Sequence, residues 1–310
     1  MADGVSYPVT WPMAYSLDFT AMTDISAVPP SIAEMLRGYS IELNPSESKI
    51  VDAAASRLDP GTEVFLTWIP GANPMAMVGV AAKLRRAGLL PVPHIGARHI
   101  ESAAQLEQLA AQLAGEAGVD RVLIIAGDRE KPMGPYDSSL AVMQSGAFQK
   151  AGIIRTAVGG FPEGNPNIPD AVLAEALTAK LSFARSVGLQ VSIVTQFCFE
   201  AQPIVEWLRN IRASGIDAPV CVGLAGPAGL IALTRYAIRC GIGNSMRVLS
   251  EKPFFAKLLV EKGPEHIIRD LAAGVGPRNG LTLPLGIAHL HFFVFGGFDN
   301  TINWINARRT

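Results

Sequence analysis

The chain has 310 residues, 49% of them hydrophobic, with 26 basic and 27 acidic side chains and a formal charge of −1. So even a balance supplies no field to steer the protein onto nucleic acid or an anionic membrane, and the expected partner is a small molecule, with self-association into a homo-oligomer left open. No apolar stretch approaches the ~18 residues of a membrane span, and the opening Met1-Ala2-Asp3-Gly4 lacks a basic region followed by an apolar one, so the expectation is a cytoplasmic protein. Cys198, Cys221 and Cys240 are widely spaced and form no Cys-x-x-Cys pair, which argues against a disulfide framework and against a zinc cage.

In chain order, residues 1–38 form an N-terminal extension carrying Tyr7, Trp11, Tyr15 and Phe19 among prolines. Eight short apolar runs follow, each ending in a polar or glycine-bearing tip. They are Ser40-Ile41-Glu42, Val64-Phe65-Leu66-Thr67, Pro91-Val92-Pro93-His94, the run Val122 to Asp128, the run Thr156 to Phe161, the run Val191 to Gln196, the run Val220 to Leu224, and Ala288-His289-Leu290-His291-Phe292. Helical periodicity fills the intervals: residues 103–113 place leucines three and four apart and end near Gly115, Pro169-Asp170 opens a helix reaching Gly188, and Pro203 opens another that stops by Gly215. Runs of β-prone residues alternating with helices predict βαβ units, and eight of them predict an α/β fold, a (β/α)8 TIM barrel over residues 39–310. Residues 230–285 are about twice as long as one crossover needs, so extra helices are expected between strands 7 and 8.

The active site of such a barrel lies at the carboxyl ends of its strands, so the polar tips gather on one rim. That rim has no lysine for Schiff-base chemistry. Its one close histidine pair, His289 and His291, has no third ligand in reach and reads as packing or hydrogen bonding, so no metal is expected. What remains is a pair of carboxylates, Glu42 and Asp128, the neutral hydrogen-bonders Thr67, Asn165 and Gln196, His94, and several glycines. These suit a flat, polar, heteroaromatic ligand with proton transfer from a tuned carboxylic acid.

Plainer roles compete for each residue. Glu42 also reads as a strand-end salt-bridge partner, Asp128 as a helix N-cap, His94 as a satisfied buried histidine, and Gln196 as a backbone-bonded core amide. The stretch Gly223-Leu224-Ala225-Gly226-Pro227-Ala228-Gly229 reads either as a phosphate-binding turn or as a tight turn into the seventh helix.

The ordered motifs resemble those of the methylenetetrahydrofolate reductase family. They are Ile41-Glu42-Leu43-Asn44-Pro45, Thr67, Pro93-His94, Ala126-Gly127-Asp128, Phe161-Pro162-Glu163-Gly164-Asn165-Pro166, Thr195-Gln196-Phe197-Cys198-Phe199-Glu200, the segments 215–220 and 223–227, and Leu290-His291-Phe292-Phe293, spanning about residues 38 to 298. The resemblance implies reduction of 5,10-methylenetetrahydrofolate to 5-methyltetrahydrofolate with hydride from NADH or NADPH, by way of bound FAD. It assigns Glu42 as the general acid, Asp128 as the electrostatic stabiliser of the cationic iminium and a pterin contact, and Gln196 as a folate-ring contact. Phe161 would flank a ring. Thr67, His94, Ala126, Gly127, Asp128, Asn165 and Arg185 fall at cofactor-binding positions.

The sequence also departs from the family pattern. Ala126 stands where the family carries a flavin-contacting arginine, and Phe161 and Asn165 replace a tyrosine and a histidine. Thr178 and Arg185 take the places of an aspartate and a lysine, Ala237 that of a stacking aromatic, and Gly296 and Gly297 surround the place of an arginine for the folate tail. Either FAD meets other cations, such as Arg98, Arg129 or Arg185, or the hydride passes straight from NADH to the folate. A third reading is a non-catalytic folate-binding accessory protein.

Overall fold

A computed structural model describes residues 31–229, Leu233, 263–274 and 286–309. Eight parallel strands close into one barrel in chain order: β1 (Ser40–Leu43), β2 (Glu63–Leu66), β3 (Leu90–Gly96), β4 (Arg121–Ile125), β5 (Arg155–Gly160), β6 (Gln190–Thr195), β7 (Val220–Ala225) and β8 (Ile287–Phe293). Closure is made between β8 and β1, where Ser40 lies opposite His291 and Glu42 opposite Phe293. The fold is therefore the (β/α)8 barrel that the eight runs predict. Around it, among the described residues, lie α1 (Ile32–Met35), α2 (Ser48–Arg57), α3 (Ala76–Arg86), α4 (Ala103–Gly115), α5 (Ser139–Gln144), α6 (Ala147–Lys150), α7 (Asp170–Ser186), α8 (Ala201–Ala213), α9 (Glu265–Ala272) and α10 (Phe298–Arg309).

Two cores hold the barrel. The outer one lies between strands and helices, and the helical period selects its members: α4 buries Leu106, Leu109, Ala110 and Leu113, and α8 buries Ala201, Ile204, Val205, Leu208 and Ile211. Ser102 begins α4 by accepting the Gln105 N–H, and Ser138 begins α5 by accepting the Ala141 N–H, each satisfying an orphan donor of the first turn. The inner core fills the barrel axis with Phe65, Val92, Leu123, Ala157, Val194 and Cys221, alternate residues whose neighbours along each strand face the helices.

The two prolines of β3 shape its pairing. Proline has no N–H to give a neighbour, and β3 pairs with β4 only over His94, Ile95 and Gly96, beyond Pro91 and Pro93. At the fourth tip the strand is shorter than the apolar run suggests. It stops at Ile125, because Gly127 adopts φ +92°, outside extended geometry. Ala126, Gly127 and Asp128 thus belong to the loop after β4.

Of the segment between β7 and β8, α9 is described; the further helices expected there fall on residues outside the described set, as do Ala237 and Cys240. The extension's aromatics Tyr7, Trp11, Tyr15 and Phe19 also lie outside it. Among the described residues no helix is long and apolar enough to cross a membrane.

Candidate active site

The barrel axis is built in polar and apolar layers. At its amino end Glu63 pairs with Arg121, Arg155 stands 3.8 Å from Glu63 and 2.8 Å from Asp120, and His289 stands 3.8 Å from Glu63. The apolar layer around Phe65 lies above. Toward the carboxyl end, Glu42 of β1, His94 of β3 and His291 of β8 converge. The Glu42 carboxylate oxygen Oε2 is 3.5 Å from His94 Nε2 and 3.8 Å from His291 Nε2. The Phe65 ring meets both imidazoles edge-on, with centroid distances of 5.9 and 4.6 Å.

Burial sets the protonation of this group. It raises the Glu42 carboxyl above its ordinary value, against a smaller opposing effect from His94. The histidines are depressed, His94 to about 4 by burial despite Glu42, and His291 to about 3 by burial. Near neutral pH both imidazoles are therefore uncharged. At 3.5 and 3.8 Å they are too distant to bond the carboxylate well, and neither Nε2 has another hydrogen-bond partner. Desolvation therefore outweighs attraction, which is the condition for a carboxyl group that holds its proton. Its side chain keeps 17% of its surface accessible.

A chain of hydrogen bonds orients His291 from below. The Cys221 thiol is pushed well above its ordinary value, first by burial and then by Glu63, so it keeps its proton and faces His289 Nδ1 across 3.8 Å. With Nδ1 accepting, His289 Nε2 donates to Ser40 Oγ over 3.1 Å, and the Ser40 hydroxyl donates to His291 Nδ1 over 2.8 Å. These bonds assign His291 the tautomer with its proton on Nε2, facing Glu42. The pair His289 and His291 thus does the hydrogen-bonding work that sequence alone suggested. Among the described residues no group of three or more His, Cys, Asp or Glu side chains is arranged to hold a metal ion.

The other rim residues sit as follows. Thr67 follows β2 and anchors to Leu43 O through its N–H at 3.0 Å. Gln196 follows β6, its N–H donating to Gly160 O at 2.8 Å, while its side-chain oxygen accepts the Phe197 N–H at 3.1 Å. Phe161 folds its ring against Gly159, where an added Cβ would lie 3.5 Å from the ring. Asn165 lies farther out in the loop after β5, where its side chain accepts the Asn167 N–H at 2.9 Å and shapes a turn.

Asp128 is no helix cap. The next helix, α5, begins at Ser139 under the cap Ser138, and the Asp128 carboxylate, 62% exposed, instead accepts from His99 Nε2 at 2.7 Å. Arg185 does not belong with the rim. It ends α7 just before β6 begins, at the amino end of the barrel, where it lies 3.7 Å from Asp217. The family position that Arg185 takes thus falls on α7, but at the end of that helix away from the rim. Arg98 is spent on the β4–α5 loop, donating to Asp137 O at 2.7 Å and Arg129 O at 3.0 Å.

Residues that sequence reasoning passed over are Ser40, His99 and an aromatic wall of Phe197, Phe199, Phe293 and Phe295. Phe293 and Phe295 stack at 5.8 Å, and Phe197 meets Phe295 at 4.8 Å. Phe295 holds φ +47°, unusual for a bulky residue and the kind of strain that gathers at functional sites. Packing explains two glycines of the stretch that ends β7: a Cβ on Gly223 would lie 2.8 Å from the Phe293 ring, and one on Gly226 would collide with Thr301. A cavity of about 530 Å3 lies off the axis, lined by Pro227, Ala228, His266, Asn300 and Trp304. It is not over Glu42, and the titratable cluster marks the chemistry better than cavity size does.

No family model matches this chain. Among solved structures it is similar to the crystal structure of the 3-dehydroquinate dehydratase from Aquifex aeolicus VF5, at 12% identity and a TM-score of 0.39, over 66% of this chain and 85% of that one. A likeness of that size adds nothing to the barrel already described.

Proposed function

We propose that the protein is a reductase that delivers hydride from NADH or NADPH to the methylene carbon of 5,10-methylenetetrahydrofolate. The observation that carries this reading is Glu42, a carboxylic acid buried at the barrel mouth, with its pKa raised and two neutral histidines beside it. Opening the folate's five-membered ring requires a proton on the departing nitrogen, and Glu42 supplies it. The N–C bond breaks, leaving a methylene iminium cation, and Asp128 places a carboxylate at the same rim to stabilise that charge. Hydride from the nicotinamide then converts the iminium to a methyl group, and Glu42 regains a proton from water. Gln196 offers its amide to the pterin, and Phe161 with the Phe293 and Phe295 wall offers faces for flat rings.

For FAD, the cofactor that the family resemblance implies, the described residues offer more to the ring side than to the pyrophosphate. The ring-side positions Thr67, His94 and Gly127 are present. The three arginines considered for its pyrophosphate are otherwise engaged: Arg98 holds two loop carbonyls, Arg129 bonds Lys131 O, and Arg185 stands at the opposite end of the barrel. These engagements favour direct transfer from the pyridine nucleotide.

Purified protein is expected to oxidise NADH only when methylenetetrahydrofolate is added, and to be colourless in the visible range where oxidised flavins absorb. NADH oxidation without dependence on the folate would overturn the assignment. A yellow protein retaining stoichiometric flavin would restore the flavin route. Tight folate binding without turnover would make it an accessory binder.

A further inference from the structure

We infer that His99 is the positioning residue that fixes the Asp128 carboxylate over the barrel mouth; the inference rests on the reductase reading above. Asp128 stands in a loop, is largely exposed, and lies next to a glycine, so nothing in its own backbone holds its side chain in one direction. His99 does. It closes the 3-10 turn Ala97–His99 that follows β3, its side chain is only 5% exposed, and Nε2 lies 2.7 Å from Asp128 Oδ1. A carboxylate only accepts, so the bond requires the proton on Nε2, and the imidazole donates it.

The surroundings are shaped to seat that ring. A Cβ on Gly127 would lie 2.9 Å from His99 Cδ2, and one on Gly96 would lie 3.1 Å from the same atom. Trp68 closes another side, its ring centroid 5.9 Å from that of the imidazole. Gly96 at the end of β3 and Gly127 in the loop after β4 thus leave room for the ring. A ring so confined has no freedom to swing, and it passes that fixity through one hydrogen bond to the exposed carboxylate. Fixed charge is what an iminium-stabilising group requires, because a dipole or ion already in place need not reorganise when charge develops. Arg98 ties the backbone of the same loop at Arg129, directly after Asp128, and at Asp137, so backbone and carboxylate are secured separately.

The test is a double-mutant cycle on the full-length protein, reading kcat and KM for methylenetetrahydrofolate with NADH. His99→Ala is expected to lower kcat/KM roughly 2- to 150-fold, the range of coupling for groups in one network. His99→Gln, whose amide N–H can reach the same carboxylate, is expected to recover most of that loss. In an Asp128→Ala background, His99→Ala is expected to cost no more than about two-fold, since the group it positions is gone. Melting temperatures measured alongside separate a folding loss from a catalytic one. Independent, additive losses in the double variant, or a His99→Ala protein that is less stable but turns over normally, would overturn the positioning role while leaving the reductase reading intact. A wild-type protein with no folate-dependent NADH oxidation would overturn both.

Discussion

Replacing Glu42 by glutamine keeps the volume and shape of a side chain that is packed beside Phe65 and between two imidazoles, and removes only its ability to give a proton. General acid catalysis contributes ~10²- to 10⁴-fold, so folate turnover should fall by that factor, equivalent to about 3–6 kcal/mol of barrier at 1.4 kcal/mol per decade. The fold should not suffer. Because burial raises the Glu42 pKa, the folded protein binds that proton more tightly than the unfolded chain does. Its contribution to stability is thus complete below the ordinary glutamate range and is lost as pH rises through the raised value. Glutamine has no proton to lose, so Glu42→Gln should be at least as stable as wild type at pH 8. The assay is steady-state NADH oxidation with methylenetetrahydrofolate across pH, with urea midpoints at each pH. Wild-type turnover should decline on the alkaline side as Glu42 ionises, and the residual rate of the variant should not. Undiminished turnover in Glu42→Gln would remove the acid from the mechanism.

Asp128→Asn retains the His99 contact but not the charge, and should weaken folate reduction by ~2 kcal/mol or more; melting should be unchanged, since Ser138 rather than Asp128 caps α5, and a drop in melting temperature alone would contradict this. Gly127→Ala places a methyl group at φ +92° and 2.9 Å from His99, and should lower stability by about 1 kcal/mol or more together with folate turnover, read by thermal melting and kinetics. His94, His289 and His291 have pKa values depressed to about 4, 4 and 3, so each favours the folded state above its ordinary value of 6.5, and that stability is lost as pH falls toward 4. Urea midpoints between pH 6.5 and 4 should drop with a slope approaching three protons taken up on unfolding, and a flat profile would show that these imidazoles are not buried neutral.

The barrel was legible because strands buried on both faces read as continuous apolar runs, and the helices between them carry a different period. The tips Glu42, His94 and Gln196 were legible for the same reason: polar residues interrupting such runs have few other places to go. What escaped depended on long-range contact. His99 lies five residues beyond the β3 tip residue His94, in a turn with no period of its own, and only the closure of β3 beside β4 brings it to Asp128. Ser40 looked like an ordinary strand serine, because nothing local says that β8 will pair against β1 and place it between His289 and His291. Arg185 failed in the opposite way. Ordered motifs can find the right helix, but helices run antiparallel to the strands they cover, so an error of a few turns exchanges the mouth of the barrel for its floor.

The same geometry explains why two acidic residues at one rim can take different parts. Glu42 is the third residue of a strand and points inward beside Phe65, where water is scarce and its neighbours are uncharged imidazoles; the proton-bearing form is the one that environment favours. Asp128 stands beyond the strand end, exposed, with an N–H from His99 aimed at its oxygen. An acid that gives a proton to a leaving nitrogen and an anion that faces the resulting cation are the two groups ring opening needs. Exchanging their types, with glutamine at 42 or asparagine at 128, removes one role while leaving the other in place. The two variants should therefore differ in kind: Glu42→Gln should lose the alkaline limb of the pH profile, and Asp128→Asn should keep that limb at a reduced rate. Identical pH profiles for both would mean that the carboxylates act as one unit, and the division of labour argued from their surroundings would be wrong.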